Sequence, residues 1–242
     1  HIEFNRSSQQ NAHPNPAAGY PDNYPNAKQI SGSINVPWIG MSSEYENLVT
    51  YASHGHGVEQ FVTPNSAPFG SSAGEQLGIG RSRQTEVGLR NLSNSNHMLW
   101  NAALFEITRP FTHVIYDINT NTSTRFIDGK QRHQGLDLGA KWRGSQWQLA
   151  SQAQWLYAKL SDVQRSPEAV GTTPLNVPKF VLRGMAEYRY ISIPGLRTGV
   201  RVSHEGERHV TEDGAIQLPA WTTFDVSTHY DTKVNNVAST WT

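Results

Sequence analysis

Two alternating runs joined by a short turn occupy residues 132–160. Successive side chains of a strand point to opposite faces, so alternation predicts a hairpin with one apolar and one polar face. The apolar face would contain Leu136, Leu138, Ala140, Trp142, Trp147, Leu149, Ala153, Trp155 and Tyr157. The turn is expected at Gly144-Ser145-Gln146, with Gly144 supplying backbone freedom.

Aromatic residues mark both ends of this hairpin. Trp142 and Trp147 flank the turn, and Trp155 and Tyr157 follow about ten residues further along. Ten residues of a strand tilted near 45° rise about 24 Å, close to the apolar band of a transmembrane β-barrel, which aromatic girdles bound. A hairpin of a soluble sandwich or barrel also alternates, so this hairpin alone leaves both folds open.

The rest of the chain repeats the pattern. We predict further strands at 47–60, 83–91, 97–110, 180–190, 196–205, 220–230 and from 237 onward. Residues 30–41 are ambiguous, because Pro37 confines any strand there to an edge or a bulge. Short turns are predicted at 93–96, 192–195 and 231–236. Long loops are predicted at 11–29, 61–82, 111–131 (with a strand extension around 114–116), 161–178 and 206–219. This alternation favours a transmembrane barrel, with short turns on one rim and long loops on the other.

Composition excludes several classes of function. Lys+Arg 20 equals Asp+Glu 20, so no net charge draws the chain to nucleic acid. The hydrophobic content of 36% is low, as a wet barrel interior or a loop-rich soluble protein would explain. Without cysteine there is no disulfide, thiolate metal site or cysteine nucleophile. No apolar run approaches the length of a membrane-spanning helix.

The sequence contains no catalytic constellation, and we expect no enzyme activity. His54 and His56 share a strand face and suit a metal ion, although two polar residues near a strand end are the simpler interpretation. Charged residues on the polar faces are expected to line the barrel interior, either as contacts to a plug or as a solvated wall. They are Glu86, Arg90, Asp137, Lys141, Arg143, Arg183, Glu187, Arg189, Arg201 and Glu205.

Six phrases resemble the TonB-dependent ferric-siderophore receptors. They are YASHGHGVEQFVTPNS (51–66), RSRQTEVGLR (81–90), ALFEITRP (103–110), RHQGLDLGAKW (132–142), NVPKF (176–180) and LPAWTTFDVSTHY (218–230). Their order over residues 45–242 carries the resemblance, although Asp137 stands where the family usually has Glu and residues 1–44 match poorly.

The resemblance implies an all-β fold and a place in the outer membrane of a Gram-negative bacterium. The family barrel has about 22 strands. This chain is then expected to be an internal fragment with about ten or eleven of those strands, forming a partial antiparallel barrel. The plug domain and the N-terminal segment that engages TonB are expected to lie outside it. The complete receptor is expected to be monomeric.

The function that the resemblance implies is energy-coupled uptake of a ferric siderophore, with no resident cofactor. Loop residues that suit an anionic iron chelate are Tyr116, Arg125, Phe126, Lys130 and Arg165, although ordinary exposed loop explains them as well. Two other functions stay open. One is a passive porin-like channel, and the other is a soluble carbohydrate-binding β-protein.

Overall fold

A computed structural model describes residues 2–6, 30–64, 66–92, 97–211, 214–234 and 237–242. Its strands are β1 (Ile2–Arg6), β2 (Ile30–Ile34), β3 (Trp38–Tyr45), β4 (Leu48–Val62), β5 (Gln76–Asn91), β6 (Met98–Asp117), β7 (Thr122–Arg143), β8 (Trp147–Ser161), β9 (Phe180–Arg189), β10 (Leu196–Glu205), β11 (Arg208–His209), β12 (Gln217–Leu218), β13 (Trp221–Val234) and β14 (Val237–Trp241). Short 3-10 helices occupy Ala67–Ser72 and Pro167–Ala169. The predicted loop 11–29 and turn 93–96 lie outside the described residues.

One ten-stranded sheet organises the chain, with the spatial order β14-β13-β10-β9-β8-β7-β6-β5-β4-β3. Every neighbouring pair in it is antiparallel. Two small hairpins, β1–β2 and β11–β12, stand apart from it. Within the described residues, consecutive strands neither split into two packed sheets nor return to close a small barrel. The predicted open antiparallel sheet is therefore confirmed.

The pairing register keeps apolar residues together across the central strands. Leu138 of β7 lies opposite Ala153 of β8, and Leu136 lies opposite Trp155. One residue along, Asp137 lies opposite Gln154. Because paired residues share a face, the predicted hairpin is present with its apolar and polar faces as expected. We call these the apolar face and the polar face of the sheet.

The predicted long loop 111–131 is largely strand and the predicted long loop 61–82 is partly strand, which is a correction. The loop 61–82 shrinks because β4 runs to Val62 and β5 begins at Gln76. The loop 111–131 shrinks to a four-residue turn, 118–121, between β6 and β7. A strand needs only ladder hydrogen bonds, and polar residues on both faces are tolerated where both faces are solvated. The strict alternation of loop lengths was therefore wrong at this hairpin.

Two smaller predictions also fail. Residues 231–234 continue β13 and are not part of a turn, and β11 and β12 form a small hairpin inside the predicted loop 206–219.

Gly144 has no positive φ, so the turn does not use the backbone freedom predicted for it. A Cβ at Gly144 would lie 2.6 Å from Cη2 of Trp142, so its lack of a side chain makes room for that indole.

Strands β4–β8 extend beyond the ten residues that span a membrane, and we call these extensions the outer ledge. It comprises residues 58–62, 76–81, 108–117, 122–132 and 158–161. A buried apolar cluster of the described residues lies here, formed by Phe111, Leu160, Val163 and Ala169. The loop after β8 therefore packs onto the ledge. No helix in the described part of the chain is long and apolar enough to cross a membrane.

Candidate ligand-binding site at the outer ledge

A β-bulge in β7 organises the outer ledge. Pro110 pairs with Lys130, but Thr112 pairs with Ile127, so one extra β7 residue is accommodated between them. Gly129 within this bulge has φ +90, and a Cβ there would lie 2.8 Å from the backbone oxygen of Ser161. Glycine is therefore required on both conformational and steric grounds. Beyond the bulge, odd and even residues of β7 exchange faces.

The bulge turns Asp128 under the loop that follows β8. Its carboxylate, 6% exposed, accepts backbone N–H bonds from Gln164 at 3.0 Å and Arg165 at 2.8 Å. Burial alone raises the pKa of Asp128, but these two N–H donors, with the charges of Arg165 and His113, hold that pKa below its ordinary value. His113 Nε2 also lies 2.9 Å from Oγ of Ser166. These polar contacts fix the loop start above the polar face.

Phe126 and Arg165 form the part of the ledge best suited to an anionic ligand. The Arg165 guanidinium carbon lies 3.9 Å from the centroid of the Phe126 ring. Phe126 pairs with His113, on the polar-face side of the sheet. A cation held over an aromatic ring presents charge and a flat surface together, which suits an aromatic, anionic iron chelate.

The other three ligand candidates lie on the opposite side. Tyr116 and Arg125 pair with Ser123 and Val114, on the continuation of the apolar face, and Lys130 pairs with Ser161 there too. The Arg125 guanidinium donates to the backbone oxygen of Val62 (2.8 Å) and to Oγ1 of Thr112 (2.9 Å). Tyr116 Oη donates to Asn121 Oδ1 (2.5 Å). Lys130 forms an ion pair with Asp162 (2.9 Å). The structure thus brings together only Phe126 and Arg165 of the five candidates, and a ligand role for any of them stays a prediction.

The register places all ten charged candidates on the polar face. For example, Arg183 lies opposite Gln152, and Glu187 lies opposite Gln148. Glu187 lies between Arg189 (3.7 Å) and Arg197 (3.9 Å), which shows that these charges are partly compensated within the sheet. Whether this face lines a lumen and touches a plug stays a prediction.

Sequence reasoning missed several partners on this face. Tyr51 Oη donates to Glu86 Oε1 at 2.7 Å, and Arg109 forms an ion pair with Glu59 at 2.7 Å. The Tyr51 ring also covers Gly88, where a Cβ would lie 2.5 Å from the ring. No local pattern identifies such pairs, because the partners are far apart in sequence and meet only through strand register.

The His54–His56 pair lies on the apolar-face side near the ledge. The two rings are 5.3 Å apart and nearly perpendicular, and His54 Nδ1 lies 2.8 Å from Thr85 Oγ1. Within the described residues, no group of three or more His, Asp or Glu side chains is arranged to hold a metal ion. The metal interpretation therefore has no further ligands there.

Replacing Asp128 by Ala should release the loop that follows β8. Loss of two charge-assisted hydrogen bonds should lower the local opening free energy by about 1–3 kcal/mol, and amide exchange in 163–166 should accelerate about tenfold or more. Because the folded pKa of Asp128 is depressed, this anchoring is complete above its unfolded pKa, about 3.9, and is lost as pH falls through the folded value. Exposed Asp162→Ala is the control, and equal acceleration in both variants would contradict the anchor.

The fold and its surface define a class of membrane protein. An open antiparallel sheet with long strands, an aromatic-bounded apolar face and a polar face is part of a transmembrane β-barrel. The TonB dependent receptor-like, beta-barrel family model matches residues 4–242. The chain belongs to this family, and it is part of an outer-membrane protein.

Solved structures share the fold at low sequence identity. The ferric preacinetobactin receptor BauA from Acinetobacter baumannii has TM-score 0.67 and 20% identity over 88% of this chain and 31% of its own. The ferric yersiniabactin uptake receptor FyuA from Yersinia pestis has TM-score 0.65 and 16% identity over 84% and 30%. The ferric-catecholate import receptor Fiu from E. coli has TM-score 0.60 and 15% identity over 94% and 34%. The chain thus spans about a third of their length. No curated protein matches it in sequence.

Proposed function

We propose that this chain is part of an outer-membrane receptor that imports a ferric siderophore, with energy supplied through TonB. The family match over residues 4–242 carries the proposal. The similar structures named as ferric-siderophore receptors support the cargo class. The plug and the TonB-binding segment would belong to other parts of the complete receptor. Iron arrives as cargo, so no resident cofactor is needed.

The Phe126–Arg165 pair supports an anionic chelate as the cargo. The guanidinium is exposed above the ring, on the polar-face side, where a ligand entering the barrel mouth would pass. Ferric complexes of catecholates are planar-ringed and negatively charged, so ring stacking and charge act on the same molecule. We therefore favour a catecholate-type complex over a neutral one.

Uptake of labelled iron tests the proposal directly. A strain lacking the gene would be complemented with the complete gene and supplied with ferric catecholate, hydroxamate or carboxylate complexes under iron starvation. We expect uptake of one complex that disappears when TonB is removed. Uptake that persists without TonB would instead show a passive porin-like channel. Absence of iron uptake from every complex would refute the siderophore cargo.

Arg165→Gln in the complete receptor should weaken binding of the imported complex about tenfold, because a charge-assisted contact is lost. Phe126→Ala should weaken it about fivefold, since the ring also positions Arg165. Lys130→Gln is the control, because its ammonium is paired with Asp162 on the other side of the sheet. The measurement is tryptophan fluorescence titration with the ferric complex. Equal weakening in the Lys130 variant would show a general charge effect and refute this site.

A further inference from the structure

We propose that a groove on the polar face of β3–β7 is a second binding site for the anionic, aromatic ferric chelate, at the opposite end of the sheet from the Phe126–Arg165 pair. The inference rests on the proposed function, because the ligand is the same cargo. The groove encloses about 830 Å³, the size of a site for a drug-sized ligand. Its polar-face side chains include Trp38, Tyr51, Ser53, Arg90, Asn101 and Lys141.

The cationic end of the groove follows from the strand register. Arg90 of β5 lies opposite Asn101 of β6, and Asn101 lies opposite Gly139 of β7. Lys141 is two residues further along β7 and therefore shares this face. The Asn101 side chain covers Gly139, between the two cations. Two positive charges and a neutral amide are thus contiguous on three adjacent strands.

These two positive charges are not compensated by carboxylates. Arg90 and Lys141 are exposed, neither forms an ion pair within the described part of the chain, and none of the described residues that line the groove is acidic. Glu86 and Asp137, four residues back along the same strands, accept hydrogen bonds from neutral side chains instead. Glu44 shares a row with Arg90 but lies two strands away. The groove therefore favours an anion.

Two aromatic rings lie flat along the same groove. A Cβ at Gly40 would lie 2.5 Å from Cη2 of Trp38, and a Cβ at Gly55 would lie 2.6 Å from its Cδ1. Glycine on two neighbouring strands thus lets the indole lie against the sheet, and Trp38 is 73% exposed. The Tyr51 ring lies over Gly88 in the same way, two residues from Arg90 on the same face. Flat ring faces of this kind suit stacking with a planar ligand.

The groove and the outer ledge offer the same chemistry at two depths. Phe126 and Lys141 lie near the two ends of β7, about 50 Å of strand apart, and both are on the polar-face side. Arg90 and Lys141 are next to the short turns, which face the periplasm in barrels of this kind. Passage through a barrel requires binding at several weak sites, so a second site for the chelate belongs there. An acidic protein segment would use the cations but would leave the indole face unused.

Protection of an introduced cysteine tests the site in the complete receptor. The 242 residues contain no cysteine, so Ser53→Cys places one thiol of this chain in the groove, and any cysteine elsewhere would be replaced by serine. A small maleimide would be added in non-ionic detergent with a synthetic ferric tris-catecholate or a neutral ferric tris-hydroxamate. We expect the tris-catecholate to slow labelling at a concentration about tenfold lower than the tris-hydroxamate.

Two outcomes of this labelling would overturn the proposal. Equal protection by the two complexes, or protection by neither, would show that the groove does not select an anionic aromatic chelate. A thiol at residue 53 that stays unreactive without any complex would show that another part of the receptor, such as an acidic segment of the plug, fills the groove.

Matched double variants separate the site from the general charge of this face. Arg90→Gln with Lys141→Gln should raise the protecting concentration of the tris-catecholate about tenfold. Arg183→Gln with Arg201→Gln makes the same change in the same two rows of the polar face, outside the groove, and should leave that concentration unchanged. Equal weakening in both would overturn the proposal. If the first variant fails to form a heat-modifiable barrel, Lys141→Gln alone replaces it, with an expected weakening of about threefold.

Arg165→Gln distinguishes occupation of the groove from blockage of the barrel mouth. It should weaken binding at the outer ledge but leave protection of residue 53 unchanged. A protecting concentration that rises with Arg165→Gln as much as with the groove variant would assign the protection to the mouth and overturn the second site. Uptake of a complex that leaves residue 53 unprotected would refute this site alone, whereas absence of uptake of every complex would refute the proposed function.

Discussion

Leu138→Arg should cost about 2–4 kcal/mol of the unfolding free energy of the complete receptor in lipid vesicles, because it places a charge on the lipid side near mid-membrane. Leu138 lies five residues before the end of β7 and opposite Ala153 on the apolar face. Ala153→Arg should have a similar cost for the same reason. The measurement is urea-induced unfolding, monitored by tryptophan fluorescence.

Gln152→Arg is the matched control, since residue 152 is next to Ala153 and faces the other way. Gln152 lies opposite Gly139 and Arg183 on the polar face, so the new charge meets water and one like charge. We expect a cost of about 1 kcal/mol or less. Equal costs for Ala153→Arg and Gln152→Arg would contradict the assignment of the apolar face to lipid.

The facing of the strands was predictable because a period of two is a local signal. Leu136, Leu138 and Trp142 repeat at every second position, and no long-range information is needed to place them together. The same holds for β9, β10 and β13, whose predicted bounds agree with the structure to within a few residues. A membrane enforces this alternation because one face must be apolar throughout.

The outer ledge was not predictable on these grounds. Residues 76–81 and 122–131 are strand but lie beyond the apolar band, where both faces tolerate polar residues and the alternation disappears. The Gly, Ser and Thr residues of these segments then give them the composition of a loop. Only pairing with a neighbouring strand, such as Thr122 with Asp117, makes these segments strands.

The division of the five loop candidates between the two faces was not predictable for a different reason, a single inserted residue. The bulge at Asp128–Gly129 moves Phe126 to the polar-face side and leaves Arg125 on the other. The Asp-Gly pair is a signal for a turn or bulge, and it was the one local feature that indicated the change of face. The contact between Phe126 and Arg165 depends on how the loop after β8 packs, which no periodicity encodes.

Residues 1–242 expressed alone should aggregate in water without detergent. The sheet is open along β3 and β14, so both edge strands present unpaired N–H and C=O groups. Trp38 and Ile39 of β3 are 73% and 66% exposed, and Trp241 of β14 is 63% exposed. Apolar strand edges of this kind pair with other copies, because a barrel avoids exposed edges only by closing.

Analytical sedimentation measures this outcome. We expect material much larger than a monomer without detergent, and a dispersed species once a non-ionic detergent covers the apolar face. The complete receptor in the same detergent is the control for the intact barrel. A soluble monomer with a cooperative thermal transition would contradict the prediction, since it would mean that the apolar face and both sheet edges are satisfied within these residues and need neither lipid nor neighbouring strands.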